Sequence, residues 1–220
     1  MSDAHVPRLR QLDACTVSDA LDRLGIAGVA SGLSHASGKD RLAGRVVTLK
    51  VGVGTPVAGR ARHLGTAAVE SAGPDDVIVI EQHSGIEAGC WGGLLTLGAK
   101  VRGLAGVVAD GPVRDIDEAR ALAFTVFASR FTARTARGRV IELGTNVPIT
   151  CRGIRVEAGD YVVADGSAVV FVPAAHIGAA LDAAEAIAAR ETAMARAISD
   201  GTPISAVMDG RYEQMLKDPQ

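Results

Sequence analysis

Residues 91–115 read WGGLLTLGAKVRGLAGVVADGPVRD, and this stretch decides the fold class. Leu94, Leu95, Gly98 and Val101 recur at helical spacing, and Gly103 closes the helix ahead of a buried-type strand at 105–109. A glycine pair opens that helix. Past the strand, an Asp-Gly-Pro turn signal leads to Arg114 and Asp115, which begin a polar-faced helix predicted over 115–122. A short strand at 124–128 follows, so helix and strand alternate in the manner of an α/β protein.

The alternation extends upstream. Residues 44–53 (GRVVTLKVGV) are β-branched and alternating, a helical turn or two is expected around 67–71, and DVIVIE at 76–81 is a second strand. Nearer the N-terminus, Thr16 and Asp19 have the spacing of an N-cap with an acid in the first turn. Leu21 and Leu24 supply apolar positions, and Gly25 stops a short helix. Downstream of Gly138 the pattern changes to closely spaced strands around Val140, 147–151, Ile154, 161–164 and 168–172, separated by Gly and Asp turns.

After Pro173, Ile177, Leu181, Ala184, Ile187, Met194 and Ile198 form one apolar stripe, which predicts a long C-terminal helix able to cover the sheet or reach a neighbouring subunit. Gly201 and Pro203 end it, and a short amphipathic tail runs from Ser205. The absence of internal repeats and of a dividing linker predicts one domain over 1–220, with an N-terminal helical segment at 1–43 and a C-terminal helical arm at 174–220.

Composition excludes several functions. The 23 Lys and Arg balance 25 Asp and Glu for a formal charge of -2, so a phosphate backbone finds little attraction and nucleic acid is not an expected partner. The longest uncharged stretch, 166–181, contains Pro173 and His176 and is too short for a membrane span. The polar N-terminus has no apolar signal core, so the chain is expected to stay in the cytoplasm. Cys15, Cys90 and Cys151 are odd in number and far apart, so they are expected to be buried small hydrophobes rather than disulfide or zinc ligands. Aromatics are 3% of a chain with 26 glycines; such a core gains volume from Val, Leu, Ile and Ala, with some burial expected from self-association.

Two apparent motifs lose their force on inspection. Gly52, Gly54 and Gly59 follow a strand, but their spacing is wrong for a dinucleotide loop and Pro56 interrupts it. The five histidines show no HxH or HExxH spacing; His83, following a strand and preceding Gly85, is expected to be a surface-loop residue.

Gly92 and Gly93 carry more information. Backbone N–H groups at a helix N-terminus lack intrahelical acceptors and bear partial positive charge, and glycine lets a small carboxylate approach them. The same glycines also suit a tight turn into a packed helix. Arg114 offers a planar fork of donors to a carboxylate or keto oxygen, and Asp115 offers a hard oxygen to Mg²⁺ or Mn²⁺. In the plainer alternative Asp115 caps the next helix and Arg114 is solvated or paired with Glu118.

Taken together, these stretches resemble the RraA-like family, which includes divalent-metal 4-hydroxy-4-methyl-2-oxoglutarate aldolases and regulators of RNase E activity. The resemblance covers TVSDALDRLG (16–25), LAGR (42–45), the block at 91–115, TNVPI (145–149) and GDYVVADGSAVVFVP (159–173); the central block is its specific part. It implies a swivelling β/β/α domain assembled as a homotrimer or homohexamer, with active sites near subunit contacts. It also implies that Gly92, Gly93, Leu94 and Leu95 hold the carboxylate of a small 2-oxo acid through backbone amides. By the same likeness Arg114 binds the keto oxygen that becomes an enolate, and Asp115 ligates Mg²⁺ or Mn²⁺.

The implied activity is release of pyruvate by retro-aldol cleavage or by decarboxylation of oxaloacetate. The alternative implied by the same resemblance is a non-catalytic, protein-binding regulator of RNase E. One departure stands out: the aldolases carry an acid where this chain has Gly93, and glycine cannot orient or deprotonate a metal-bound water. Glu81, Glu87 or an acid from another subunit are the substitutes the sequence suggests.

Overall fold

The structure is a computed structural model in which residues 3–55 and 62–208 are described. Gly59 and the tail from 209 onward lie outside the described residues.

Two helices open the chain, α1 (His5–Leu9) and α2 (Ala14–Arg23). The cap of α2 is Asp13, not Thr16: the Asp13 carboxylate accepts the Thr16 N–H at 2.8 Å, placing Thr16 in the first turn. Gly25 stops the helix with a left-handed φ of 69°, as its position predicts. Within the stretch expected to be helical, two short strands follow, β1 (Val29–Ala30) and β2 (Ser34–Ser37). Neither carries enough apolar alternation to announce itself; both exist because they pair with longer strands from elsewhere in the chain.

The centre of the fold is a parallel array. Strand β3 (Leu42–Gly52) leads through α3 (Thr66–Ser71) to β4 (Asp76–Gln82). Then α4 (Gly93–Val101) leads to β5 (Gly106–Val113), and α5 (Ile116–Ala121) to β6 (Thr125–Phe131). Strands β3, β4, β5 and β6 pair parallel in that order.

The remaining strands are β7 (Ile141–Thr145), β8 (Ile149–Cys151), β9 (Ile154–Val156), β10 (Tyr161–Ala164) and β11 (Val169–Val172). They extend the sheet antiparallel through β10, β11 and β1, while β2 lies on the far edge beside β6 and β7 pairs with the second half of β3. The β8–β9 hairpin packs against the sheet interior through Ile149, Cys151 and Val156.

Side-chain alternation sorts the core into layers. In β4, Ile78 and Ile80 face α3, α4 and α5, together with Leu95, Ala99 and Ala119 from the helices. Val77 and Val79 face the other way, into a core shared with Val108, Phe127, Val162 and Phe171, where the sheet curls on itself. A third cluster joins β10 and β11 to α1, α2 and the long helix α6 (Ile177–Ser199), which follows a 3₁₀ turn at Ala174–His176.

Helix α6 is the expected C-terminal helix. Ile177, Leu181, Ala184 and Ile187 are buried, and Arg8 of α1 pairs with Asp182 at 2.6 Å and Glu185 at 2.7 Å. Farther along the stripe Met194 is half-buried and Ile198 is 39% exposed, and a final turn, α7 (Ile204–Val207), has no buried residue. Among the described residues no helix is long and apolar enough to cross a membrane. Cys90 and Cys151 are buried as expected, but Cys15 is exposed, because its position on α2 turns away from the packed face.

Candidate functional site

The site forms where the end of β5 meets the start of α4. Strand β5 does not end at Ala109 with a turn over Asp110-Gly111-Pro112, as the turn signal suggested; it continues to Val113. The Gly-Pro pair instead marks an irregularity, since the β5–β6 register shifts between Ala109 and Pro112. The loop preceding α4 runs alongside this extension. Cys90 donates its N–H to the Pro112 carbonyl at 2.8 Å, Trp91 bridges to Val113, and Arg114 donates its N–H to the Trp91 carbonyl at 3.1 Å.

Burial pushes the Cys90 thiol up to about 12, so it remains a neutral S–H and donates to the same Pro112 carbonyl at 3.2 Å. Trp91 is buried, and its indole N–H donates at 2.9 Å to Thr96 Oγ1, which in turn donates to the Gly92 carbonyl at 3.0 Å. These bonds fix the first turn of α4 against β5. As a result the glycine opening and the Arg-Asp pair, read as separate stretches in the sequence, face each other.

Asp115 adopts a left-handed conformation (φ 57°, ψ 37°), which costs an ordinary residue about 1 kcal/mol and which Asp tolerates better than most. Its side chain makes no cap bond to its own helix. It reaches across instead, and Oδ2 accepts the Gly93 N–H at 3.0 Å. Asp115 is therefore a cap for α4 rather than the α5 cap that the plainer reading offered. Arg114 Nε lies 3.2 Å from Asp115 Oδ1, so Arg114 pairs with Asp115 and not with Glu118. Among the described residues no other nitrogen of the Arg114 guanidinium is engaged, which leaves both Nη groups to meet a ligand oxygen.

The glycines are spacers. A Cβ at Gly89 would stand 3.0 Å from Arg114 Cγ, and one at Gly92 would stand 2.9 Å from Asp115 Oδ2. At Gly93 the Cβ would run into the carboxylate of Glu118. Each glycine thus vacates volume that a named side chain fills.

The four residues expected to bind a carboxylate are placed as follows. The Gly93 N–H is taken by Asp115, and the Leu95 side chain belongs to the core while Leu94 is 87% exposed. The Leu94 and Leu95 N–H groups lie in the first turn of α4, which has no intrahelical acceptors, and that is the end of the helix dipole an anion seeks.

The acids proposed from sequence as substitutes at position 93 are committed elsewhere. Glu81 accepts the Thr150 N–H at 2.6 Å and pairs with Lys50 at 3.2 Å, while Glu87 accepts from Thr132 at 2.9 Å and lies 3.5 Å from Arg134. Glu118 was missed. No local pattern placed it, because Asp115 precedes α5 in a left-handed conformation and Glu118 meets position 93 only through tertiary packing. His83 is an exposed loop residue as expected, and its Nε2 lies 2.6 Å from the buried carboxylate of Asp110, which also accepts the Arg152 N–H at 2.7 Å.

Among the described residues, no group of three or more His, Cys, Asp or Glu side chains is arranged to hold a metal ion. The donors present at the site are carboxylates, hard ligands suited to Mg²⁺ or Mn²⁺. Mg²⁺ is commonly held by one or two carboxylates, with water and substrate oxygens completing the shell, so the donor set fits such an ion without a third protein ligand.

A family model described as "RraA-like: Aldolase/RraA" matches residues 14–171. A Halalkalibacterium halodurans protein provisionally named as a 4-hydroxy-4-methyl-2-oxoglutarate aldolase is 31% identical over 195 residues, covering 89% of each chain. Among solved structures, an uncharacterized protein from Pseudomonas syringae pv. tomato superposes with a TM-score of 0.82 at 28% identity, covering 95% of this chain and 98% of that one. Streptomyces coelicolor RraAS2, described as an unusual member of the RNase ES inhibitor RraA protein family, gives 0.76 at 25% identity over 91% and 98%. The matched segment includes the curled sheet, the glycine-opened helix and the Arg114–Asp115 turn, and the chain belongs to the RraA-like family.

Proposed function

We propose that the chain is a divalent-metal-dependent carbon–carbon lyase acting on small 2-oxo acids, releasing pyruvate by retro-aldol cleavage of 4-hydroxy-4-methyl-2-oxoglutarate-like substrates or by decarboxylation of oxaloacetate. The observation that carries this reading is the placement of Arg114 and Asp115 against the glycine-opened N-terminus of α4. The relatives' aldolase names support the reaction class.

In this reading the Leu94 and Leu95 N–H groups at the start of α4 bind the substrate carboxylate, aided by the helix dipole. Arg114 directs its free Nη groups at the keto oxygen, where negative charge grows as the bond beta to the carbonyl breaks. Asp115 would hold Mg²⁺ or Mn²⁺, and such an ion would supply Lewis-acid stabilisation of the developing negative charge. Asp115 also keeps the Arg114 side chain in place through its second oxygen. The exposed Leu94 and the partly uncovered stripe of α6 fit assembly into a homotrimer or homohexamer, with other subunits completing the walls of the site.

The test is pyruvate release from 4-hydroxy-4-methyl-2-oxoglutarate and from oxaloacetate, measured after EDTA treatment and after return of Mg²⁺ or Mn²⁺. Release that stops with chelator and returns with metal is the expected outcome. Release indifferent to chelator overturns the metal role. No release under any condition, with retention of RNase E in a pull-down, would favour the regulatory reading that the likeness to RraAS2 supports.

A further inference from the structure

We infer that Glu118 supplies, from helix α5, the second carboxylate of the metal site that Gly93 cannot supply from α4. The inference rests on the metal-dependent reading above and assigns one more residue to that site.

Three observations support it. First, the space that a side chain at position 93 would enter is not empty solvent; it is filled by the Glu118 carboxylate. An acid projecting from position 93 and an acid reaching back from position 118 deliver oxygens to the same volume. Second, Asp115 precedes α5 and Glu118 lies in its first turn, and both carboxylates stand against the glycine opening of α4: Asp115 accepts the Gly93 N–H and Glu118 fills the space beside Gly93. Third, among the described residues the Glu118 carboxylate takes part in no hydrogen bond or ion pair, whereas Glu81 and Glu87 do. Nearby Arg120 is already paired with Asp117 at 2.9 Å.

Arg114 offsets part of the Asp115 charge, but among the described residues the Glu118 carboxylate has no cation beside it, and a divalent cation would offset the negative charge gathered there. In this arrangement Asp115 is the direct ligand and Glu118 is a positioning residue, accepting a hydrogen bond from a water of the ion's shell. A glycine at 93 is then a consequence of the relocation. Any side chain there would displace the Glu118 carboxylate.

The experiment is a double-mutant cycle on Mn²⁺ affinity, read by electron paramagnetic resonance on the full chain in its native assembly without substrate. Its variants are Glu118→Gln, Gly93→Asp and the pair, with Asp115→Asn as the control for the site itself. Circular dichroism checks that each variant folds; Glu118 is exposed, and its Gln variant is nearly isosteric.

Glu118→Gln is expected to weaken Mn²⁺ binding about tenfold in the native background. The same substitution should have almost no effect once Asp occupies position 93, because the new carboxylate takes over the shared volume. Unchanged affinity in Glu118→Gln, while Asp115→Asn abolishes binding, overturns the role of Glu118 and leaves the metal reading intact. Equal losses in both backgrounds overturn the shared-volume assignment. Failure of the native chain to bind Mn²⁺, or indifference of binding to Asp115→Asn, overturns the metal reading and this inference with it.

Discussion

Asp115 Oδ2 accepts the N–H of Gly93 at 3.0 Å, across 22 residues of sequence. One carboxylate therefore stands at the entry of α5 by its backbone and closes the entry of α4 by its side chain. The proposed metal ligand is also a structural cap, and a substitution there acts on stability and on chemistry at once.

The two roles separate by the choice of replacement. Asn keeps an acceptor oxygen for the Gly93 N–H but loses the negative charge, so Asp115→Asn should retain most of the stability and lose Mn²⁺ binding. Asp115→Ala should lose both, with about 1 kcal/mol less stability in urea unfolding. Equal stability of the two variants would show that the cap bond contributes nothing.

Gly92→Ala probes the packing of the site without removing a polar group. Its backbone is extended (φ -160°), so alanine meets no backbone penalty there. The added methyl would lie 2.9 Å from Asp115 Oδ2 and 3.2 Å from Arg114 Cγ, and both side chains must move. A drop in pyruvate release of tenfold or more, with melting temperature nearly unchanged, is expected from a misplacement of about 1 Å. Full activity would mean that Arg114 and Asp115 need no fixed position.

Thiol chemistry reports on the core. Burial raises the Cys90 thiol to about 12 and pushes that of Cys151 up further, so neither forms thiolate near neutral pH. In the folded chain a chromogenic disulfide reagent should label Cys15 alone, and unfolding in guanidinium should release all three. Rapid labelling of a second thiol under native conditions would contradict the packing of β5 and β8.

Asp165 predicts a pH dependence of stability. Burial alone would raise its pKa, but hydrogen bonds from the backbone N–H groups of Ala14, Ser167 and Ala168 outweigh that and leave it lowered. A carboxylate depressed in the folded state stabilises above its unfolded value of about 3.9, and that contribution is lost as pH falls through the lower folded value. Urea unfolding of Asp165→Asn should accordingly show a smaller loss of stability between about pH 5 and pH 3 than the unsubstituted chain. Parallel curves would remove Asp165 from the account of acid sensitivity.

How much of this was legible in the sequence depends on the range of the forces involved. The parallel strands β3, β4 and β5 and helix α6 were readable, because each carries its own apolar period. Strands β1 and β2 were not, since pairing with β11 and β6 creates them. The turn signal at Asp110-Gly111-Pro112 misled for a related reason. Local chemistry favours a turn, but Cys90 and Trp91 offer the chain a neighbour, and β5 continues to Val113. At the site, Arg114 and Asp115 were visible as types, whereas their meeting with Gly93 and the place of Glu118 follow from tertiary packing that no local pattern encodes.

The bonds joining Cys90 to Pro112 and Trp91 to Arg114 hold the loop before α4 as firmly as a strand in a ladder. A ligand bound there, as proposed, would meet donors already aimed and cost little freedom of the host. Under the proposed reading, discrimination among 2-oxo acids of different length would then come from the opposite wall, beyond the exposed Leu94.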